Sequence, residues 1–483
     1  MAGRPLPPDF LLAFDPAVRR PRRGVLIGGA PIRVLKLTGA GADLVDRWQS
    51  GRPVGRAAGA GALAARLVDA GLAHPRPGRR AGAPTAAVVI PVRDDPGGLA
   101  VTLDSLAATA PGLAVVVVDD GSRRPVTAGP PPGRAGPDGE GAARPLILRR
   151  TVPGGPAAAR NTGWRAAGAA EVFVFVDAGC TLPAGWPAAL LGHFADPGLA
   201  AAAPRVRSRP VGGAPAGLVL YEELHSPLDL GPAPAPVRPG GAVGYVPSAV
   251  LAVRAAALAE AGGFDEGFRF GEDVDLVWRL AQTGWRVRYD PAVQATHPVR
   301  PSWPAWARQR FHYGRSAAPL AARHGRAAAP LAVSPWSAAV WGLAAAGRPA
   351  PAAVLAVGSA AALARRAGSD RATAAALFRL ACTGHARAAG PLAGALRRAW
   401  LPPGLAAAAV AHRWGDRRAR SASAAALVAA LLSGGLWEWS VRRPATGPLR
   451  WAGYRLADDL SYQAGVWSAV VEARSAGALL PRW

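Results

Sequence analysis

Carboxylates recur in this sequence where apolar runs break off. The first group is Pro91-Val92-Arg93-Asp94-Asp95, after the apolar run 86–90. The second is Asp119-Asp120-Gly121-Ser122, after the run 113–118. The third is Asp177-Ala178-Gly179, after the run 172–176. Further along, Glu272-Asp273 opens a stretch that includes Asp275. Acidic side chains so placed support two kinds of chemistry. They help hold a cation that neutralises a phosphorylated leaving group. They also accept a proton from an attacking hydroxyl. Asp and Gly cap helices at strand-to-helix turns as well, and a helix dipole favours acids at its start. Capping explains one such site. Three in order, each after a buried apolar strand, are more than capping requires.

The elements that position these residues follow from periodicity. Short continuous apolar runs read as strands buried on both faces. Between them, 99–108 and 157–167 read as helices, with Gly168 as a stop. Strands alternating with helices predict a parallel sheet, whose ligands bind beyond the carboxyl ends of the strands. Residues 126–144 are turn-rich and read as a loop. The predicted fold class is α/β: a mostly parallel sheet, a small N-terminal α+β domain over 1–75, a linker over 76–84 and a central domain over 85–325. An Ala-rich helical region follows over 326–483. In the N-terminal segment, 25–27 and 32–35 read as a hairpin through Gly28-Gly29. Helices are expected over 41–48, with Leu44, Val45 and Trp48 on one face, and over 61–70, with Leu63, Leu67 and Val68 together.

The motifs "VVIPVRDD", "VVVVDDGS", "GGPAAARNTGWRAA", "FVFVDAGC" and "GEDVDLVWRLAQTGW" resemble, in order and spacing, those of family 2 glycosyltransferases over about residues 83–300. The resemblance implies a GT-A fold and an inverting transfer from a nucleotide sugar. It implies that Asp120 and Asp119 bind the uracil and ribose end of the nucleotide, with Pro91, Arg93 and Asp95 lining the same pocket. Arg160 and Asn161 fall where the family contacts the base. Asp177 begins the family's Asp-x-Asp metal motif, and His297 lies where some relatives supply a further ligand to Mg²⁺ or Mn²⁺. The second acidic position is Gly179 here, which puts the metal in question and raises a second reading, a transferase that binds its donor without turnover. Asp273 corresponds to the catalytic base. Glu272 or Asp275 would then orient the acceptor or the helix.

Residues 1–75 end in "DAGLAHP" and resemble the small PqqD-like winged-helix domains, which hold the leader segment of a ribosomally made peptide. A structural cap on the next domain is the other reading. Together with 307–325, this segment resembles the glycosyltransferases of mycofactocin biosynthesis. Those enzymes decorate a peptide-derived redox cofactor with glucose units, and the donor implied is UDP-glucose. A family 2 transferase acting on a lipid carrier or cell-envelope glycan is the alternative.

The 483 residues carry a formal charge of +25, nearly all of it arginine. Such a chain is drawn to polyanions. Its arginines are spread along the whole length, and three acidic strand ends line the presumed cleft, so nucleic acid is not an expected partner. Two cysteines, Cys180 and Cys382, suggest neither a zinc site nor a disulfide framework. No signal peptide is read at the start. The runs 328–346, 349–364 and 421–440 are apolar and flanked by arginines, which suits an anionic membrane surface on the cytoplasmic side.

Overall fold

The computed structural model describes residues 4–78, 84–127, 144–366 and 370–482. Most of the linker expected at 76–84 and of the loop expected at 126–144 lies outside them. The chain forms two compact units, Met1–Ala214 with Glu222–Val299, and Pro215–Tyr221 with Arg300–Trp483. In this division the second unit takes up the chain at Arg300, ahead of residue 325. The reason is aromatic packing: Tyr221 sits edge-on to Trp306 at 5.7 Å and against Trp451 at 5.3 Å, which ties 215–221 to the C-terminal helices.

An eight-stranded sheet dominates the first unit. Its order is Ala235–Pro236, Arg286–Pro298, Leu199–Arg209, Val250–Arg254, Val172–Val176, Ala86–Val92, Ala114–Asp119, Leu146–Arg149. The last four are mutually parallel. Val250–Arg254 runs antiparallel to both of its neighbours. Leu199–Arg209 and Arg286–Pro298 again pair in parallel. The expected α/β class holds, and the sheet is mixed: Val250–Arg254 separates two parallel groups, and the edge strand Ala235–Pro236 is also antiparallel to its neighbour. The continuous apolar strands lie in the middle: every residue of Val172–Val176 is buried, as are Val88, Val89 and Ile90. Both faces are covered, so these strands have no polar alternation.

Helix Gly155–Ala166 packs on this sheet through its small residues. Ala157, Ala158, Ala159 and Gly163 are all buried. A Cβ on Gly163 would run into Val89 and stand 3.1 Å from Val118. That close approach carries Arg160 and Asn161, one turn earlier, into the site.

In the N-terminal segment, the hairpin pairs Val25 with Lys36 and Gly28 with Arg33. The two helices run over Gly39–Gln49 and Ala60–Asp69, with Val45, Trp48, Leu67 and Val68 buried in a core of their own. Three strands, Leu11–Phe14, Arg19–Arg22 and Ala73–Arg76, escape sequence reading because each has only four residues, and the last two also carry Pro and charge where alternation is needed. This subdomain is held against the sheet edge by guanidinium groups. Arg286 bonds Asp69 and Asp196, both at 2.9 Å, and Arg238 donates to the carbonyls of Asp69 (2.5 Å) and Ala30 (2.6 Å).

The second unit is helical. The three apolar runs form Pro335–Ala345, Pro349–Arg365 and Arg417–Arg442. The last is the one described helix long and apolar enough to cross a membrane, and almost none of its apolar stretch is buried. Helices Trp303–Arg315 and Pro448–Glu472 cross at Gly314 and Gly465. A Cβ on either would run into the other's backbone, at Tyr462 or Phe311.

Replacing Gly163 by Ala should therefore lower stability by about 1–3 kcal/mol despite alanine's better helix propensity, because the added methyl overpacks Val89. A denaturant titration checks this. An unchanged midpoint would show that the helix can lift off the sheet at no cost.

Candidate active site

The strand ends bring the expected residues to one edge of the sheet, and they use them in ways the sequence does not show. Asp119 and Asp120 are both buried. Asp119 accepts from the backbone N–H groups of Ser122 (2.8 Å) and Val126 (3.3 Å) and from Arg149 (2.7 Å). Burial alone would raise its pKa, but these donors overcome that and hold it below the usual carboxylate range. Asp120 accepts from Arg150 (2.9 Å) and from the N–H groups of Gly154 (2.9 Å) and Gly155 (2.7 Å). Gly155 adopts φ +84, a conformation that favours glycine, so the chain can present both amides to one carboxylate. Both aspartates thus brace the rim of the cleft.

At the first strand end, Asp94 is held at φ +53, with its N–H on the Ser122 hydroxyl (2.9 Å) and its carboxylate on the Arg123 N–H (2.8 Å). Asp95 caps helix Pro96–Thr109 through the Gly98 N–H at 2.8 Å. Pro91 is half-buried beneath this turn, and Arg93 is exposed, with its guanidinium 3.9 Å from Asp94. Asn161 is buried and spends its amide on the 264–266 loop. It receives the Phe264 N–H (3.0 Å) and donates to the Phe264 carbonyl (2.8 Å) and to Glu266 (2.9 Å).

Arg160 is the hinge of the arrangement. Its buried guanidinium bonds Asp177 at 2.7 Å and Glu272 at 2.8 Å, joining the third strand end to helix Glu272–Gln282. Burial by itself would lower the Arg160 pKa. Asp177 and Glu272 overcome that and raise it, so the cation is permanent. Glu272 is pushed up to about 7, by burial first and then by the neighbouring Asp273 charge, against the pull of Arg160. Asp273 is more open. Its Oδ2 accepts from the Ser248 N–H at 3.0 Å, and Gly271 at φ +79 turns the chain into the helix. Asp275 is fully buried and paired with Arg279 at 2.8 Å, so it holds the helix rather than facing the cleft.

At the metal motif, Asp177 is the sole carboxylate of its turn and remains about a third exposed. Gly179 stands at φ +91, and a Cβ there would meet Pro298 at 2.8 Å. His297 follows Thr296, which exchanges backbone hydrogen bonds with Thr181, and its Nδ1 bonds the Pro298 carbonyl at 2.9 Å. Among the described residues no group of three His, Cys, Asp or Glu side chains is placed to hold a metal. These donors fit a divalent cation only as one completed by substrate phosphate and water.

Sequence reading missed Arg149 and Arg150, which neutralise the two buried aspartates. Their signal is "LILRR", an apolar run ending in charge, set apart by the long turn-rich stretch before it. It also missed Ser248, for which no local pattern exists.

The mixed, mostly parallel α/β sheet carries acids at its strand ends and an acidic pair at a helix start. Residues 87–225 match glycosyl transferase family 2, and 235–384 match glycosyl transferase family group 2. The chain is 38% identical over 494 residues to the pre-mycofactocin glycosyltransferase of Mycobacterium tuberculosis, covering 100% of this chain and 99% of that one. The chain belongs to glycosyl transferase family 2 and is a glycosyltransferase of the GT-A fold. A shorter stretch of 56 residues, 11% of this chain and 18% of the other, is 43% identical to the N-acetylglucosaminyl-diphospho-decaprenol L-rhamnosyltransferase of the same organism. Among solved structures, a mannosyltransferase from Pyrobaculum calidifontis in complex with GDP-Man and Mn²⁺ is similar at 18% identity and TM-score 0.40, over 81% of this chain and 87% of that one.

The raised Glu272 carboxyl makes a stability prediction. Its folded pKa, about 7, lies above the ordinary 4.5, so the folded protein holds this proton more tightly than the unfolded chain. The contribution is fully present below pH 4.5 and is lost as pH rises through about 7. Glu272→Gln should flatten that part of the profile, read as urea midpoints from pH 4.5 to above 7. A slope identical in parent and variant would assign the proton elsewhere.

Proposed function

We propose that this enzyme transfers a hexose, glucose, from a UDP-sugar to a peptide-derived small molecule in mycofactocin biosynthesis, with inversion at the anomeric carbon. The full-length similarity to a pre-mycofactocin glycosyltransferase supports the acceptor class. The observation that carries the chemistry is the Asp177–Arg160–Glu272 bridge, which brings the acidic pair to the strand end where the family binds its donor.

An inverting transfer is one displacement. The acceptor hydroxyl attacks the anomeric carbon, the bond to the diphosphate oxygen breaks, and a carboxylate takes the hydroxyl proton. Asp273 is the base. It is part-exposed, with one oxygen held by the Ser248 N–H and the other by the Val274 N–H. Glu272, buried and bonded to Arg160, positions Asp273 and Asp177 relative to each other. Pro91 and Arg93 line the nucleotide pocket. Asp119, Asp120, Asp95 and Asn161 shape it through the loops they hold. Asp177 and His297 would hold a divalent cation, Mg²⁺ or Mn²⁺, completed by substrate phosphate and water, which would neutralise the diphosphate.

Residues 1–75 grip the peptide-derived part of the acceptor. The exposed apolar helix Arg417–Arg442, with arginines at both ends, seats the protein on an anionic membrane at the inner face of the cell membrane. That helix, with the local similarity to a decaprenol-linked rhamnosyltransferase, favours a second reading in which the acceptor is a lipid carrier.

Asp273→Asn should cut sugar transfer from UDP-glucose by about 10²–10⁴-fold, with UDP release falling in parallel. Loss of only a few-fold would remove Asp273 as the base. EDTA should depress transfer by the parent protein, and Mn²⁺ should restore it; an indifferent rate would remove the cation from the proposal. A peptide-derived acceptor and a polyprenyl diphosphate acceptor, offered in turn, separate the two readings by which one gains label.

A further inference from the structure

The turn 177–179 carries one carboxylate where its family's pattern carries two, and a guanidinium stands beside the gap. Arg209 closes strand Leu199–Arg209, opposite Pro298 in the register and one residue beyond the Ser208–His297 pair. Its Nη2 donates to the Gly179 carbonyl at 3.1 Å. Its Nε is buried and bonds nothing. The neighbouring arginines of this sheet are differently placed. Arg205 forks onto Asp229 at 2.7 and 2.8 Å, Arg254 donates to three carbonyls, and Arg288 reaches Asp196 at 3.3 Å. Arg209 has no carboxylate partner among the described residues. A half-buried guanidinium beside this turn, with one hydrogen bond among the described residues and no carboxylate partner, can take an anion that arrives with the substrate.

We propose that Arg209 receives the diphosphate of the sugar donor and places positive charge on it beside a turn that lacks the second carboxylate for holding a cation. This rests on the donor being a UDP-sugar. Position 179 is closed to a side chain, since its backbone is left-handed and Pro298 occupies the space a Cβ would need. Positive charge for the diphosphate then has to come from a neighbouring element: Arg160 is already committed to Asp177 and Glu272, whereas Arg209 bonds only the Gly179 carbonyl of this turn. A guanidinium presents parallel N–H groups that match two phosphate oxygens. As the bond to the anomeric carbon breaks, negative charge grows on the leaving diphosphate, and a fixed cation there favours that change. The competing account is that Arg209 only braces the 177–181 turn against its strand.

Calorimetric titration in metal-free buffer separates these accounts, with UDP and uridine as probes of the parent, Arg209→Gln and Arg209→Lys. Glutamine keeps an N–H for the Gly179 carbonyl, and lysine keeps the charge. The expected result is about a tenfold loss of UDP affinity in Arg209→Gln with uridine affinity unchanged, and partial recovery in Arg209→Lys. Unchanged UDP affinity in Arg209→Gln, or equal losses for UDP and uridine, would overturn the proposal in favour of a brace. A parent protein that binds neither probe, with or without Mn²⁺, would overturn the uridine-nucleotide reading itself, and with it the role of Arg209.

Discussion

A single buried guanidinium joins the two halves of this site. Arg160 reaches from helix Gly155–Ala166 to Asp177 at one strand end and to Glu272 at the start of another helix. Removing one partner of such a buried arrangement leaves an uncompensated charge, which costs about 3–5 kcal/mol. The elements that carry the three groups are therefore not free to shift independently. Gly163 explains how the helix gets close enough: a side chain there would hold it away from Val89 and withdraw Arg160 from both carboxylates.

The same charge economy runs through the rim of the cleft. Asp119 and Asp120 sit together at the end of a buried strand, where two adjacent carboxylates repel. Each is answered by its own arginine from the neighbouring edge strand, Arg149 or Arg150, and by backbone N–H groups. The strand-end loops are thereby fastened to the sheet, the Pro-Gly-Gly-Pro segment at 153–156 among them. The excess of arginine over acid in the chain has a structural use here and at the junction of the N-terminal subdomain, where Arg286 answers Asp69 and Asp196 at once.

Gly179 shows how a departure from a family's pattern propagates. Loss of a carboxylate thins the ligand set for a cation, and the space has been taken by Pro298 from the strand that also carries His297. The turn stays anchored through Thr181 and Thr296, whose hydroxyls are 2.7 Å apart.

Much of the fold was legible in the sequence, because its signals are local. Continuous apolar runs mark the strands Ala86–Val92, Ala114–Asp119 and Val172–Val176, and periodicity with Gly stops marks the helices between them. The candidate residues were legible as types in order: acids at strand ends and an acidic pair before a helix. The antiparallel strand Val250–Arg254 in mid-sheet was not, nor was the short edge strand Leu146–Arg149, since pairing direction and sheet order depend on partners far away in the chain. Nor could sequence say which carboxylates face the cleft. Asp119 and Asp120 look like Asp177 and Asp273 in one dimension. Tertiary structure distinguishes them, because hydrogen-bond donors from Arg149, Arg150 and Gly154 reach the first two and leave Asp177 and Asp273 more open. Whether an acid braces or reacts is decided by which donors surround it, and those donors are brought together only by folding.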